Sequence, residues 1–364
     1  MAPLLILLPS LAVAAEVTEL PPFLRGDVTV GYDYASEHAR LIEDDTLVGQ
    51  RDIVDSTLRI GGTFSFAPGA QLYFSLPITA GTRVSYTDAT TMILDPNGNS
   101  GTAVDTALLT EQPELFGKGL DAPWLGVAGT PFSEVLFPDR ADRVTWLVDV
   151  GYRFKDKSSF WADNGSGQRG GGPGAAAFRF RTAFSTTLGF SEPYVVATLQ
   201  KTVPLKTLDN TGLEEGSVIR PASEVALRAG TEAVVVSQDA TGAKFAIDVY
   251  GDLVYQSWAD LPSGTYLPSV LDASSGQIAT QGETSRFGGG LTLKYRVMEW
   301  VQVDVGADLG TFLPYQVEHY YPISTGMGGM TWGVHTNLRF RGRDQPERMP
   351  WEAPTASGQI DEEL

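Results

Sequence analysis

A two-residue rhythm constrains this chain more than any other feature of its sequence. In the last long run, Trp332, Val334, Thr336, Leu338 and Phe340 share one face, and Thr331, Gly333, His335, Asn337, Arg339 and Arg341 share the other. Leu58, Ile60, Phe64 and Phe66 oppose Thr57, Arg59, Thr63 and Ser65, and Leu72, Phe74, Leu76 and Ile78 oppose Gln71, Ser75 and Thr79. The same holds for Phe245, Ile247, Val249, Leu253 and Tyr255 against Asp248, Asp252 and Gln256, and for Val301, Val303, Val305 and Leu309 against Gln302, Asp304 and Asp308. Successive side chains of a pleated strand point to opposite faces, so this alternation specifies strands with one greasy and one polar face. Each run is about ten residues long, which is what a tilted strand needs to cross a bilayer.

About twelve such runs can be marked, near 27–35, 55–66, 70–83, 122–132, 144–154, 177–190, 194–203, 223–236, 244–256, 285–297, 300–312 and 329–341. Links after even-numbered runs are short: Ala67-Pro68-Gly69, Ser133 to Arg143, Ser191-Glu192-Pro193, Ser237 to Ala243 and Met298-Glu299. Links after odd-numbered runs are long: Ser36 to Val54, Val84 to Asp121, Lys155 to Ala176, Pro204 to Ala222, Ser257 to Thr284 and Leu313 to Gly328. The pattern predicts an all-β, transmembrane, up-and-down antiparallel β-barrel of about twelve strands, with short periplasmic turns and long outer loops. A soluble sandwich has no reason to keep that parity. In hydrocarbon every backbone N–H and C=O must find a partner, and a closed barrel has no edge strand to leave any unpaired.

The polar face carries many charges. The lumen-lining candidates are Arg59, Asp149, Arg153, Arg179, Arg181, Glu224, Arg228, Asp248, Asp252, Lys294, Arg296, Asp304, Asp308, His335, Arg339 and Arg341, with Glu232 on the same phase. A soluble core could not hide so many; they call for a wet lumen or a paired network. Arg179 with Arg181, and Arg339 with Arg341, would form basic stripes facing an acidic one of Asp248, Asp252, Asp304 and Asp308, which sets a transverse field across a pore or closes it with ion pairs. Aromatic residues fall near run ends, where a headgroup belt lies: Phe66, Trp146, Phe190, Tyr295, Trp300 and Phe340 on the turn side, and Tyr34, Tyr152, Phe154, Tyr255 and Trp332 on the loop side.

The remaining composition narrows the function. Asp plus Glu is 44 against 26 Lys plus Arg, a formal net charge of -18, which repels nucleic acid. Cysteine is absent, which excludes disulfides, thiolate metal sites and cysteine nucleophiles. Leu4 to Leu11 is a mostly apolar run followed by Ala12-Val13-Ala14-Ala15, the form of a secretory signal cleaved after Ala14 or Ala15. The expected organisation is a signal peptide at 1–15, a periplasmic lead-in at 16–26, a barrel at 27–342 and a disordered periplasmic tail at 343–364, in the outer membrane of a Gram-negative-type envelope.

No catalytic, cofactor-binding or metal site is expected. His335 faces inward with Asn337 and Arg339; a hydrolase would need a nucleophile within its reach, and no spacing in the sequence marks one. His38 and His319 are placed in outer loops. Asp95 to Gly101 and Asp163 to Gly167 carry oxygen ligands at calcium-loop-like positions in the wrong register, and read as turns. Glu43-Asp44-Asp45 reads as a solvated outer face or a divalent-cation bridge to lipopolysaccharide.

Gly119-Leu120-Asp121-Ala122-Pro123-Trp124-Leu125-Gly126-Val127, continuing through Thr130-Pro131-Phe132-Ser133-Glu134, resembles the "G-G-D-x-x-L-G-hydrophobic" hairpin of outer-membrane transporters grouped with the meta-pathway phenol-degradation barrel proteins. Phe137-Pro138-Asp139 and Trp146 to Phe154 resemble the strand that follows, so the likeness covers about 40 residues. The chain departs from the pattern at Asp121-Ala122-Pro123, where the family has Gly-Asp, and at its end, where Phe340 is followed by a tail. The resemblance implies passage of small apolar or aromatic molecules.

The sequence therefore leads to an outer-membrane channel or transporter for passive passage of small solutes. Its expected partners are outer-membrane lipid and lipopolysaccharide, a small-molecule solute and the barrel-assembly machinery, with no nucleic acid and an oligomeric state the sequence does not specify. The alternatives are a plugged barrel whose outer loops serve adhesion or envelope structure, and a barrel hydrolase using His335.

Overall fold

The computed structural model describes residues 24–43, 46–87, 115–132, 144–155, 174–206, 218–238, 242–262, 278–318 and 324–342. The segment expected to be a signal, the expected tail, Asp44 and Asp45, His319 and the two calcium-like loops lie outside these residues. The strands are β1 (Gly26–Glu43), β2 (Thr46–Ala67), β3 (Ala70–Thr87), β4 (Leu115–Leu120), β5 (Trp124–Phe132), β6 (Val144–Arg153), β7 (Ala177–Thr186), β8 (Ser191–Thr202), β9 (Leu205–Lys206), β10 (Val218–Ile219), β11 (Glu224–Gln238), β12 (Ala243–Gln256), β13 (Ala259–Pro262), β14 (Ile278–Gln281), β15 (Thr284–Met298), β16 (Val301–Glu318) and β17 (Ser324–Arg341). Among the described residues twelve of these form one antiparallel wall in the order β1-β2-β3-β5-β6-β7-β8-β11-β12-β15-β16-β17. β17 then pairs with β1 from Asp27↔Arg341 to Ile42↔Gly326, and the sheet closes on itself. Closure is what makes the alternation tolerable in lipid, since no edge is left to satisfy.

The greasy phase faces out. Val28, Val30 and Tyr32 on β1, Phe178, Phe180 and Phe184 on β7, and Val249 and Leu253 on β12 are all exposed. A soluble protein does not expose an apolar surface that encircles it; lipid is the solvent that fits. Aromatic side chains gather at both rims of this band. At the turn end Trp146 stacks between Phe132 and Phe184, with ring centroids 5.9 and 5.8 Å away. At the loop end Tyr152 meets Phe154 and Phe178 at 5.1 and 4.9 Å, and Tyr34 meets Trp332 at 5.3 Å.

The wall is uneven in height. β16, β17, β1, β2 and β3 run for 18, 18, 18, 22 and 18 residues, whereas β5 to β8 run for 9, 10, 10 and 12. β4 carries the line of β5 further up beside β3 after a break at Asp121 to Pro123, where Asp121 N–H donates to the Pro77 carbonyl. β9 with β10, and β13 with β14, are short ribbons above the wall, and β14 also pairs with the far end of β16.

Three local expectations are corrected. His38 lies within β1 rather than in a loop, because the strands continue well past the lipid band. Ser191-Glu192-Pro193 opens β8; the turn sits at 187–190, where Gly189 takes φ 64°, a conformation that glycine adopts without steric cost. The ribbons and β4 carry too few alternating residues to announce themselves in sequence.

Candidate functional site

All sixteen lumen candidates lie on the face of the wall opposite the exposed apolar one, and most are buried. Asp149, Glu232, Asp248 and Lys294 are 1%, 1%, 2% and 3% exposed, so neighbouring side chains shield these charges from solvent.

Glycine and tyrosine organise this interior. Residues opposed across the ladder share a face, and one inward row reads Tyr194, Gly230, Tyr250, Gly290, Asp308 on β8, β11, β12, β15 and β16. Each tyrosine lies along the wall over the next strand's glycine: a Cβ at Gly230 would strike Tyr194, and one at Gly290 would strike Tyr250. The hydroxyl then reaches a carboxylate two strands away. Tyr194 donates to Asp248 at 3.0 Å, and Tyr250 donates to Asp308. Tyr73 on β3 repeats the device, lying over Gly126 and Gly151 and donating to Asp149 on β6 at 2.9 Å. Rings that would otherwise cross the bore are laid against its side.

Charges are matched between neighbouring strands rather than segregated into facing stripes. Arg181 meets Asp149 at 2.9 Å, with Arg179 Nε at 3.8 Å from the same carboxylate. Lys294 sits between Glu232 at 2.7 Å and Asp248 at 3.0 Å, and Lys244 reaches Glu232 at 3.0 Å. Arg59 pairs with Asp33, and Arg286 with Asp252 at 3.4 Å. Arg228 stands opposite Asp252 with its guanidinium 4.1 Å from the Tyr250 ring centroid. Gln256 donates to Glu224 at 3.2 Å and Gln302 to Asp304 at 2.7 Å; Arg341 donates to Gln302 at 2.7 Å, and Arg339 acts on Asp304 electrostatically. Arg296 faces inward between Lys244 and Gln302. Arg153 lies over the Trp124 indole, 5.3 Å from its centroid. Local pairing is the arrangement that low dielectric favours, because an unpaired buried charge costs far more than the pair. A further buried pair, Arg51 with Glu37 at 2.6 Å, stands in the tall part of the wall beside Met327.

His335 bridges β16 and β15: Nδ1 lies 3.2 Å from Asp308 Oδ2, and Nε2 lies 3.1 Å from Thr292 Oγ1, over Gly306. With the proton on Nδ1 facing the carboxylate, Nε2 accepts from the threonine hydroxyl. This is the order of a nucleophilic relay, but Thr292 sits in the middle of a paired strand. Its neighbours' N–H groups belong to the ladder, leaving none aimed at a tetrahedral oxyanion among the described residues. The chain of contacts orders the wall.

Sequence reasoning missed Tyr73, Trp124, Tyr194, Tyr250, Asp33, Lys244 and Arg286 as interior residues. Strand phase could have found each of them: Tyr73 alternates with Leu72 and Phe74, and Arg286 with Phe287. The glycines beneath the tyrosines could not be found, because which glycine opposes which ring depends on register.

No family model and no curated protein matches the sequence. Among solved structures, an outer membrane channel from Pseudomonas putida F1 aligns over 90% of this chain and 98% of its own, with a TM-score of 0.52 at 13% identity. The P. putida toluene transporter TodX aligns over 91% and 95% at TM-score 0.39 and 7% identity, and a Pseudomonas aeruginosa FadL homologue over 87% and 90% at 0.41 and 9%. The fold is that of an outer-membrane barrel.

Proposed function

We propose that this chain is an outer-membrane transporter that passes small, uncharged apolar or aromatic solutes through its own barrel, and that it rests closed. One observation carries the reading: the interior neutralises its charges pair by pair while presenting the rings of Tyr73, Trp124, Tyr194 and Tyr250 on the wall. Such a bore has no stripe of one sign to select an ion, and it offers π faces to a flat solute. The sequence resemblance to the phenol-degradation barrels supports the same class of cargo. In this reading residues 1–15 are a secretory leader, the assembly machinery inserts the barrel, lipopolysaccharide surrounds its loop end, and residues 343–364 remain in the periplasm.

The test is flux. Vesicles with a lipopolysaccharide outer leaflet and the purified chain should take up radiolabelled benzyl alcohol faster than protein-free vesicles. Equal rates would sink transport. The burial of the interior also favours a plugged barrel with an envelope-structural role, and that second reading predicts equal rates.

A further inference from the structure

We propose that the loop end of the bore holds a binding site for an aromatic carboxylate, built by Trp124 and Tyr73 as a ring-stacking shelf and by Arg153 and Arg179 as anion donors. The proposal names a solute class for the transport pathway and rests on that reading for its physiological role, though not for binding itself.

The site follows from register. Trp124 stands directly opposite Arg153 on β6, and Tyr73, Gly126, Gly151 and Arg179 form one continuous row across β3, β5, β6 and β7. The two glycines let the Tyr73 ring lie flat against the wall beside the indole. A Cβ at Gly151 would strike the Tyr73 hydroxyl and lie 3.6 Å from the Trp124 ring, so both rings rest over bare backbone. Both guanidinium groups crowd the same indole, at 5.3 Å for Arg153 and 5.0 Å for Arg179, and Arg179 also lies 5.5 Å from the Tyr73 ring.

These two arginines share one indole and make few hydrogen bonds. A guanidinium carries five N–H donors. Arg153 is 2% exposed, and its one hydrogen bond among the described residues runs from Nε to the Ala175 carbonyl at 3.1 Å. Arg179 donates from Nη2 to the Tyr73 hydroxyl at 3.0 Å, while its Nε is buried without a hydrogen-bond acceptor. The carboxylates nearby are engaged elsewhere. Asp149 holds Arg181 and Tyr73 and reaches Arg179 Nε only at 3.8 Å, Glu224 takes Gln256, and Asp121 accepts from the Ala122 N–H at 2.6 Å. Asp121 and Glu224 act on Arg153 electrostatically. Cation–π contact offsets part of the cost of burying two such cations side by side. A planar carboxylate would supply the acceptors that a guanidinium fork matches two at a time. A ring attached to it would lie against the indole and the phenol. An inorganic anion would leave the aromatic shelf bare, and a neutral arene would leave the donors unmet.

Three probes on the unaltered, detergent-solubilised chain test this by calorimetry: benzoate, benzyl alcohol with the ring alone, and acetate with the charge alone. Benzoate is expected to bind saturably, about tenfold or more tighter than either, as one charge-assisted hydrogen-bond set implies. Arg153→Gln should weaken benzoate by about tenfold and benzyl alcohol by much less, with Arg153→Lys between for benzoate, because it keeps the charge and loses the fork. Heat-modifiable gel mobility checks that each variant folds, and the three-probe comparison stands even if none does. Benzoate bound no tighter than benzyl alcohol, or benzoate binding unchanged in a folded Arg153→Gln chain, would overturn the site. If benzyl alcohol crosses vesicles and benzoate does not bind, the site falls and transport stands. If benzoate binds in this manner and neither solute crosses, transport falls and the site stands.

Discussion

The short strands β5 to β8 and the long strands β16, β17, β1, β2 and β3 belong to one wall but answer to different solvents. On β6 the outward residues Trp146, Val148, Val150 and Tyr152 are apolar or amphipathic from end to end, so the strand is little more than its crossing. On β1 the outward phase reads Val28, Val30, Tyr32, Tyr34 and then Ser36, His38 and Arg40. The strand continues, its hydrogen bonds continue, but the greasy phase stops at the aromatic belt. Hydrocarbon dictates side-chain chemistry over about ten residues of a tilted strand, while backbone pairing is indifferent to what lies outside. The inward phase shows the complementary contrast. In the short wall the interior is a shared network in which one carboxylate, Asp149, serves Arg181, Tyr73 and, more distantly, Arg179. In the tall part the interior charges stand in separate pairs, such as Arg51 with Glu37 and Arg59 with Asp33.

The largest test of that contrast is to remove Asp149. Asp149→Ala takes from Arg181 its carboxylate at 2.9 Å and leaves the Tyr73 hydroxyl without that acceptor, and breaking a buried pair from one side costs about 3–5 kcal/mol. Unfolding from phospholipid vesicles in urea, followed by tryptophan fluorescence, should show that loss. Because Asp149 supports three partners and Glu37 one, Glu37→Ala should cost less. Equal costs would mean the short-wall network is a set of independent pairs.

The same contrast explains what the sequence disclosed. Strand number, order and face were legible, because lipid on one side and charge on the other write a period-two signal along every crossing. Run ends were legible only where the lipid ends. The run read at 27–35 stops at Tyr34 and Ser36, yet β1 continues to Glu43, and the run read at 300–312 stops near Leu309, yet β16 continues to Glu318. The interior charges were legible as a class, and their partners were not. Arg181 meets Asp149 because β6 and β7 pair in that register, and Tyr73 reaches Asp149 because two glycines on the intervening strands lie in its path. A one-residue slip would move each of these to the opposite face. Trp124 stands out in the sequence only within a family-like segment, since nothing in the linear order sets it beside Arg179.

A charge on the lipid face tests the boundary itself. Val150 is 54% exposed on the outward phase of β6, between the belt residues Trp146 and Tyr152. Val150→Arg should destabilise the barrel in vesicles by about 2–4 kcal/mol, the cost of a basic residue near the bilayer midplane. The arginine cannot reach a partner on that face, because the inward network lies on the other side of the sheet. The same titration in detergent micelles should show a smaller penalty, since a micelle deforms around a charge more readily than a bilayer does. A Val150→Arg chain as stable in vesicles as the unaltered one would place β6 outside the hydrocarbon and remove the distinction between the two parts of the wall.

The smallest effect belongs to the outward face of the tall part. His38 Nδ1 lies 2.6 Å from Asp52 Oδ1 on β2, with side chains 48% and 38% exposed. If these residues stood in lipid, losing one would strand the other in hydrocarbon, and His38→Ala would rival Val150→Arg. Above the belt, water solvates Asp52 as well as the imidazole does, so the expected loss is below about 1 kcal/mol. What remains of it should fade as salt screens the pair. The decisive comparison is therefore between two substitutions on the same outward phase of one closed sheet, one below the aromatic belt and one above it. A His38→Ala cost that is large and indifferent to salt would carry the lipid band up to the ends of β1 and β2, and the unequal strand lengths would then need another cause.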